Sequence, residues 1–402
     1  MDDDVRSPAL FELASQLDGL GLDPEVRRRR ARGEVYRVRS PLGHEATLFS
    51  RYDDVRAVHS DAERLRLDAV GPSPGLAAVG VDDEQMPQRR AGRLLMLDPP
   101  EHTRLRRLLT ATFTVRRAQA LAPRVRTIID EHLDAMEAAG PPTDLVSSFA
   151  LPVPSLVICE LLGVPFADRA EFGARSNRFF DTTMPPRERL RLDAEADAYM
   201  HTLVARHRET PGDDLLSLLI REHGSGALSD EEMVGLADLL LIAGHETTAN
   251  VISLGTLALL RHPDQLALVR DDPSAVENAV EELLRFTSVL HAGFVRVAVA
   301  DTTIGGHPVR RGDHVVTSLA AANRDPALLQ NGDDLDVTRG RCPHVAFGHG
   351  IHHCLGATLA RLELRLALPA LLKRFPGLHL AATPVFKDHA LIHGLRSLPV
   401  AW

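Results

Sequence analysis

From Pro99 to about Phe375 apolar residues recur three and four positions apart and are interrupted by Pro or Gly, which predicts a succession of amphipathic helices. Strand-like stretches are few and short: 34–48, 294–299 and 314–319 carry β-branched residues between Gly or Asp. The predicted fold class is mainly α with small β-sheets. No repeat, low-complexity tract or long linker divides the chain, so residues 1–402 are expected to form a single domain.

Three helices carry readable starts. Ser229 with Glu232 forms a capping box that opens a helix reaching His262-Pro263, about 30 residues and roughly 50 Å at 1.5 Å per residue. Such a helix crosses a whole domain. It is apolar through Leu239, Leu240, Leu241 and Ile242, then turns small and polar at Ala243-Gly244-His245-Glu246-Thr247-Thr248. Ser274 with Glu277 reads as a second capping box, opening the helix that holds Glu281-Glu282-Leu283-Leu284-Arg285. A third helix is expected from Leu355 to about Phe375.

Charge narrows the function classes. A net charge of −9 with no dominant basic stripe argues against a nucleic-acid binder, and Arg27 to Arg30 reads as a solvated helix end. The acidic start Met1-Asp2-Asp3-Asp4 lacks an apolar run, so neither a secretion signal nor a membrane anchor is expected and the predicted location is cytoplasmic. Cys159, Cys342 and Cys354 are too few and too scattered for a disulfide framework.

Cys354 is the cysteine with chemical surroundings. A Gly-rich loop delivers it to a helix start, where the positive helix end and exposed N–H groups favour thiolate over thiol. The neighbouring glycines let backbone approach a flat ligand, and a thiolate held this way suits a heme iron. Two other readings stand beside it on the residues alone: a buried structural cysteine, and a zinc site with His344, His349, His352 and His353, although short paired knuckles are missing.

The stretch Phe347-Gly348-His349-Gly350-Ile351-His352-His353-Cys354-Leu355-Gly356 resembles the heme-binding loop of the cytochrome P450 family, Phe-x-x-Gly-x-His-x-Cys-x-Gly, with every fixed position filled. Further segments follow in the family's order. The stretch from Asp98 to Arg106 resembles the one whose His and Arg bind a heme propionate, and spacing of four puts His102 and Arg106 on one helix face. Ala243 to Thr248 resembles the oxygen-activation segment, where a Thr hydroxyl bonds the carbonyl four residues back and Gly eases opening of the helix. Glu282 and Arg285 resemble the Glu-x-x-Arg pair, with Arg339 as third member of a structural ion network. Phe294-Val295-Arg296-Val297 resembles the strand whose Arg reaches the second propionate, and Ala322 to Pro326 matches a turn usual in bacterial members.

The resemblance implies a heme-thiolate monooxygenase with heme between the long central helix and the cysteine loop. Cys354 would ligate the iron of heme b (iron protoporphyrin IX), with His102, Arg106, Ala243, Gly244, Arg296, Phe347, Gly348, His352 and Gly356 contacting the cofactor. Glu246 and Thr247 would deliver protons as dioxygen is cleaved and one oxygen atom enters the substrate. No reductase-like segment follows before Trp402, so a ferredoxin and an NAD(P)H-dependent ferredoxin reductase are the expected partners, docking on Arg104, Arg107, Arg116, Arg361 and Arg365.

By the same resemblance, substrate contacts are expected from 71–93, 165–211, 239–247, 289–294 and 388–393, with Val289, Leu290, His291, Phe294 and Ile392 foremost. Gly71 to Leu76 reads as a mobile loop and 182–186 as a helix break, both consistent with a lid. An apolar wall with few polar anchors fits a bulky small molecule. The leading expectation is hydroxylation or epoxidation of a macrolide or other polyketide. The alternatives are terpene or steroid hydroxylation, a peroxide-driven variant, and a heme protein that only binds a ligand.

Overall fold

The computed structural model describes residues 11–12, 19–168, 178, 180–223, 226–340, 342–388 and 390–402. The acidic N-terminus, parts of the predicted substrate segments (169–177, 179 and 389) and Arg341 lie outside the described residues. Helices dominate, and a small sheet lies to one side. The long central helix spans Asp230–Leu260, 31 residues, and begins as its sequence dictates. Ser229 Oγ accepts from the Glu232 N–H at 3.1 Å while the Glu232 carboxylate accepts from the Ser229 N–H at 3.0 Å.

Nearly every side of the central helix is covered. Helices Pro152–Leu161, Pro186–Glu209, Val276–Thr287 and Ala357–Arg374 pack on it. The closest approaches occur at glycine. A Cβ at Gly235 would collide with the Ala91 carbonyl, and one at Gly244 would stand 2.6 Å from Ile158 Cγ1. The central helix runs unbroken through Gly244, so close packing against Pro152–Leu161, and not an opened turn, is what this glycine serves here. One apolar core lies where the central helix meets Ala122–Ala139 and Ala357–Arg374, and a second surrounds Leu236, Leu240, Leu241, Leu105 and Leu109.

The main sheet has six strands in the order Phe11–Glu12, Tyr36–Arg39, Glu45–Phe49, His314–Thr317, Arg296–Ala298, Leu65–Arg66. The predicted stretch 34–48 is thus a hairpin, pairing Tyr36 with Leu48 and Arg39 with Glu45. Arg296 sits opposite Val315, so the sheet delivers this arginine into the body of the protein, where it is buried. The strand from His314 ends at Thr317, and Leu319 already belongs to the next helix.

Some local readings need correction. Ser274 does not cap the helix Val276–Thr287: its N–H and hydroxyl both bond Asp272, and Glu277 is engaged by Arg365 at 2.9 Å. Within 71–76, Pro74–Ala77 forms a helical turn capped by Ser73. The basic run is only partly solvated, for Arg30 is buried and donates to the Ala321 and Arg324 carbonyls.

Two ion pairs clip the segment ahead of Asp98 to the helix Pro186–Glu209: Arg89 with Asp193 at 2.6 Å and Arg93 with Asp197 at 3.0 Å. Arg93 also stands 3.6 Å from Asp238 on the central helix.

Candidate active site

Cys354 sits between a glycine-rich loop and the helix Ala357–Arg374. The Cys354 N–H donates to the Phe347 carbonyl at 2.9 Å, which closes the loop on itself. Gly348 and Gly350 take φ of +72° and +70°, a left-handed backbone that a side chain would strain, and a Cβ at Gly350 would strike the His59 carbonyl. The loop is braced from outside as well. Arg361 lies 4.4 Å over the Phe347 ring, and Glu281 binds Arg361 at 2.6 and 2.8 Å and His344 at 3.1 Å. Burial would raise the Glu281 carboxyl, but the hydrogen bonds from Arg361 and then His344 lower it to about 2.

The Cys354 residue keeps accessible surface although protein surrounds its thiol closely. Burial pushes its thiol up, against the pull of the Gly356 and Ala357 N–H groups and of Arg106 and Arg361. The helix start thus favours the thiolate, as expected from the sequence, while burial works against it. A coordinated metal deprotonates a thiol outright.

Arg106, whose charge reaches the sulfur, belongs to a set of groups suited to bind an anion. The His102 and His352 rings stand 4.3 Å apart, and all four of their buried ring nitrogens are without a hydrogen-bond partner. Burial, with His352 and Arg106 alongside, lowers His102 to about 4. Arg106 donates to the His353 carbonyl at 2.6 Å, and buried Arg296 donates to the Leu65 carbonyl at 3.0 Å. Asp98, three residues before the His102 helix, is a further member that no pattern in the sequence singles out. It accepts from the N–H groups of Leu67 and Asp68 at 2.5 and 2.9 Å and faces His352 at 3.8 Å. Burial would raise Asp98, yet His352, these N–H groups and Arg296 together lower it.

Orphaned imidazoles, two arginines, a cradle cut to glycine and an accessible sulfur fit a flat, dianionic, metal-bearing group. Among the described residues no three His, Cys, Asp or Glu side chains gather into a metal cage, as a zinc site would require.

On the central helix the Thr247 hydroxyl donates to the Ala243 carbonyl at 3.0 Å, the bond expected from the sequence. Thr247 keeps open surface while its neighbour Glu246 is buried. Glu246 accepts from Asn250 Nδ2 at 3.1 Å and pairs with Lys387 Nζ, a contact 141 residues away in sequence that no local pattern announces.

The structural network is complete. Arg285 is fully buried and spends all five N–H donors: two on Glu282 at 2.7 Å, the others on the carbonyls of Asn323, Gly332 and Asp334. Arg339 Nε stands 3.5 Å from Glu282, and the same arginine donates to the carbonyls of Gln330 and Asn331.

This chain matches the family model described as Cytochrome P450 over residues 77–381. The chain belongs to the cytochrome P450 family. It is 44% identical over 401 residues to Cytochrome P450 FAS1 of Rhodococcoides fascians, covering 99% of this chain and 100% of the relative. It is 43% identical over 374 residues to mycinamicin IV hydroxylase/epoxidase of Micromonospora griseorubida, covering 92% of each. A crystal structure of CYP105P1 in complex with filipin I matches with a TM-score of 0.89 at 39% identity, over 98% of this chain and 99% of that one. The P450 fold, a heme cofactor and monooxygenase chemistry follow from this membership.

The predicted substrate residues separate in the structure. Phe294 is 52% exposed, whereas Val289 and Ile392 are closed within the core and the His291 ring rests 4.6 Å from that of His393. Leu290 is half-buried between two apolar clusters. The segments themselves are joined through backbone: the Leu391 N–H donates to the Phe180 carbonyl at 3.0 Å and the His393 N–H to the Val289 carbonyl at 2.8 Å. Of the five arginines expected to receive a redox partner, Arg104, Arg361 and Arg365 are paired with Glu232, Glu281 and Glu277. Arg107 and Arg116 are exposed. Among the described residues no helix is long and apolar enough to cross a membrane.

Proposed function

We propose that this chain is a heme b monooxygenase that hydroxylates or epoxidises a bulky, largely apolar secondary metabolite, with all of residues 1–402 serving one catalytic unit. The observation that carries the reading is the pair of unpartnered His102 and His352 rings beside Arg106, whose charge also reaches the Cys354 sulfur. Iron protoporphyrin IX, when bound, supplies the activation of dioxygen.

The chain's own residues supply the rest. Cys354 Sγ would hold the iron, and the N–H groups of Gly356 and Ala357 would temper the charge on the sulfur. His102, Arg106, Arg296 and His352 would hold the propionates, and Phe347, Gly348, Gly350, Ala243 and Gly244 would line the cofactor. Thr247, fixed by Ala243, would supply the hydroxyl that passes protons on, and Glu246 would relay them to it from solvent. Phe294 and Leu290 form substrate wall.

Electrons come from a ferredoxin reduced by an NAD(P)H-dependent reductase, and the enzyme works in the cytoplasm. The relatives named for mycinamicin IV and pentalenic acid support a polyketide or terpenoid substrate. The intact Glu246-Thr247 pair favours oxygenation over mere ligand binding and over direct use of peroxide.

The test is the absorption spectrum of the reduced carbon monoxide complex. The wild-type chain is expected to give the thiolate-type band and Cys354→Ser to lack it. Retention of that band in the variant overturns the ligand assignment. A screen of polyketides, terpenes and steroids, read by the heme spin-state change on binding, then separates the substrate classes.

A further inference from the structure

Glu246 is 2% exposed, so a carboxyl group that must take up a proton in every cycle has almost no contact with water. One of its oxygens, Oε2, has no hydrogen-bond partner, and the other is shared by Asn250 and Lys387. His245 Nε2 stands 3.9 Å from Oε2 and is itself wholly buried. Lys387 differs from both neighbours in keeping 20% of its side chain exposed, which joins the buried carboxylate to solvent.

The lysine is held in this place by the turn that carries it. The Lys387 N–H donates to the Gly394 carbonyl at 2.9 Å, and Gly394 is pressed so closely on the Asn250 side chain that a Cβ there would collide with its Oδ1. Asn250 in turn donates to the Glu246 carbonyl at 2.8 Å and to its carboxylate at 3.1 Å. The turn, the amide and the acid therefore form one unit on the central helix. The nearest other charge on the turn, Asp388, faces Arg396 at 3.6 Å.

We propose that Lys387 is the solvent-side proton donor to Glu246 in the oxygenation cycle. This deepens the reading of Glu246 and Thr247 as the proton-delivering pair and rests on it. In the step, an N–H bond of the Lys387 ammonium breaks and an O–H bond forms on Glu246 Oε1, which leaves a neutral amine and a neutral carboxylic acid. The acid turns its proton toward Thr247, and a solvent hydronium restores the ammonium. Burial works against the Glu246 carboxylate, but the charge and hydrogen bond of Lys387, with His245 and Asn250, hold it below the usual carboxylate range, so the neutral pair forms only in passing, as a relay requires. Residue choice points the same way. Lys373 and Lys387 are the only lysines in a chain whose Lys and Arg total 46, and arginine, used almost everywhere else, cannot release a proton.

The test uses the heme-loaded enzyme and the variants Lys387→Arg, Lys387→Met, Glu246→Gln and Thr247→Ala. Infrared difference spectra at neutral pH, with the Glu246 band assigned by its loss in E246Q, report the state of the carboxyl without turnover. Oxygen consumption with ferredoxin, reductase and NADPH in light and heavy water, without organic substrate, reports proton delivery. In K387M the protonated-carboxyl band is expected to appear. K387R is expected to keep Glu246 ionised as in the wild type, yet both variants should consume oxygen at least about tenfold more slowly with an enlarged solvent isotope effect. Wild-type rate and isotope effect in K387R overturn the proposal and reduce Lys387 to a fixed counter-charge. Wild-type behaviour of E246Q overturns the underlying proton-relay reading instead, so the two failures are distinct.

Discussion

The Arg361 guanidinium lies 4.4 Å over the Phe347 ring and is gripped from its other side by both carboxylate oxygens of Glu281. Since Glu281 also holds His344, one side chain ties the residues before and after the Cys354 loop to the helix Val276–Thr287. Glu281 ionises near 2 in the folded protein, against 4.5 for a free carboxyl. Its contribution is thus complete above the unfolded value and is lost as pH falls from about 4.5 to about 2, on the order of 1–3 kcal/mol after solvent screening. Glu281→Gln should lower the unfolding midpoint at neutral pH and flatten the acid limb in this window. Parallel pH–stability curves for variant and wild type would count against the clamp.

Arg285→Lys should be severe although charge is conserved. A lysine ammonium has three donors where Arg285 satisfies five acceptors, so Glu282 and the buried carbonyls around it lose partners. A loss of about 3–5 kcal/mol is expected in denaturant unfolding. A shift below about 1 kcal/mol would place this arginine among the dispensable ion pairs.

Thr247→Ala removes the hydroxyl that bonds the Ala243 carbonyl. Electrons drawn from NAD(P)H should then leave chiefly as hydrogen peroxide, with the heme spectrum unaltered. Unchanged coupling of electron consumption to product would remove Thr247 from proton delivery.

Replacing Arg107 and Arg116 together by Glu should slow reduction by an acidic ferredoxin about tenfold at low salt, with the difference shrinking as salt rises. Both side chains are exposed, so folding should be spared. Stopped-flow reduction rates equal to wild type would move the docking face elsewhere.

Much of the site was legible because its chemistry lies in short, ordered segments. The spacing of His102 and Arg106, the Ala243–Thr247 bond and the Glu282–Arg285 pair are all set within one helix turn. Contacts across long separations left no such mark. Glu246 meets Lys387 and Glu281 meets Arg361 only after the chain has folded, 141 and 80 positions apart. Local competition also misled: Ser274 carried a capping signature, but Asp272, two residues nearer the chain start, captured both its N–H and its hydroxyl. Burial, which the sequence does not measure, opposes the helix start at the Cys354 thiol.

Three expected substrate segments are joined by main-chain hydrogen bonds, Leu391 to Phe180 and His393 to Val289. Bonds of this kind take no notice of side-chain identity. They therefore survive exchange of exposed side chains here, whereas the buried Val289 and Ile392 also fill the core. A lineage or a directed-evolution library can vary the exposed positions while inheriting the same backbone join.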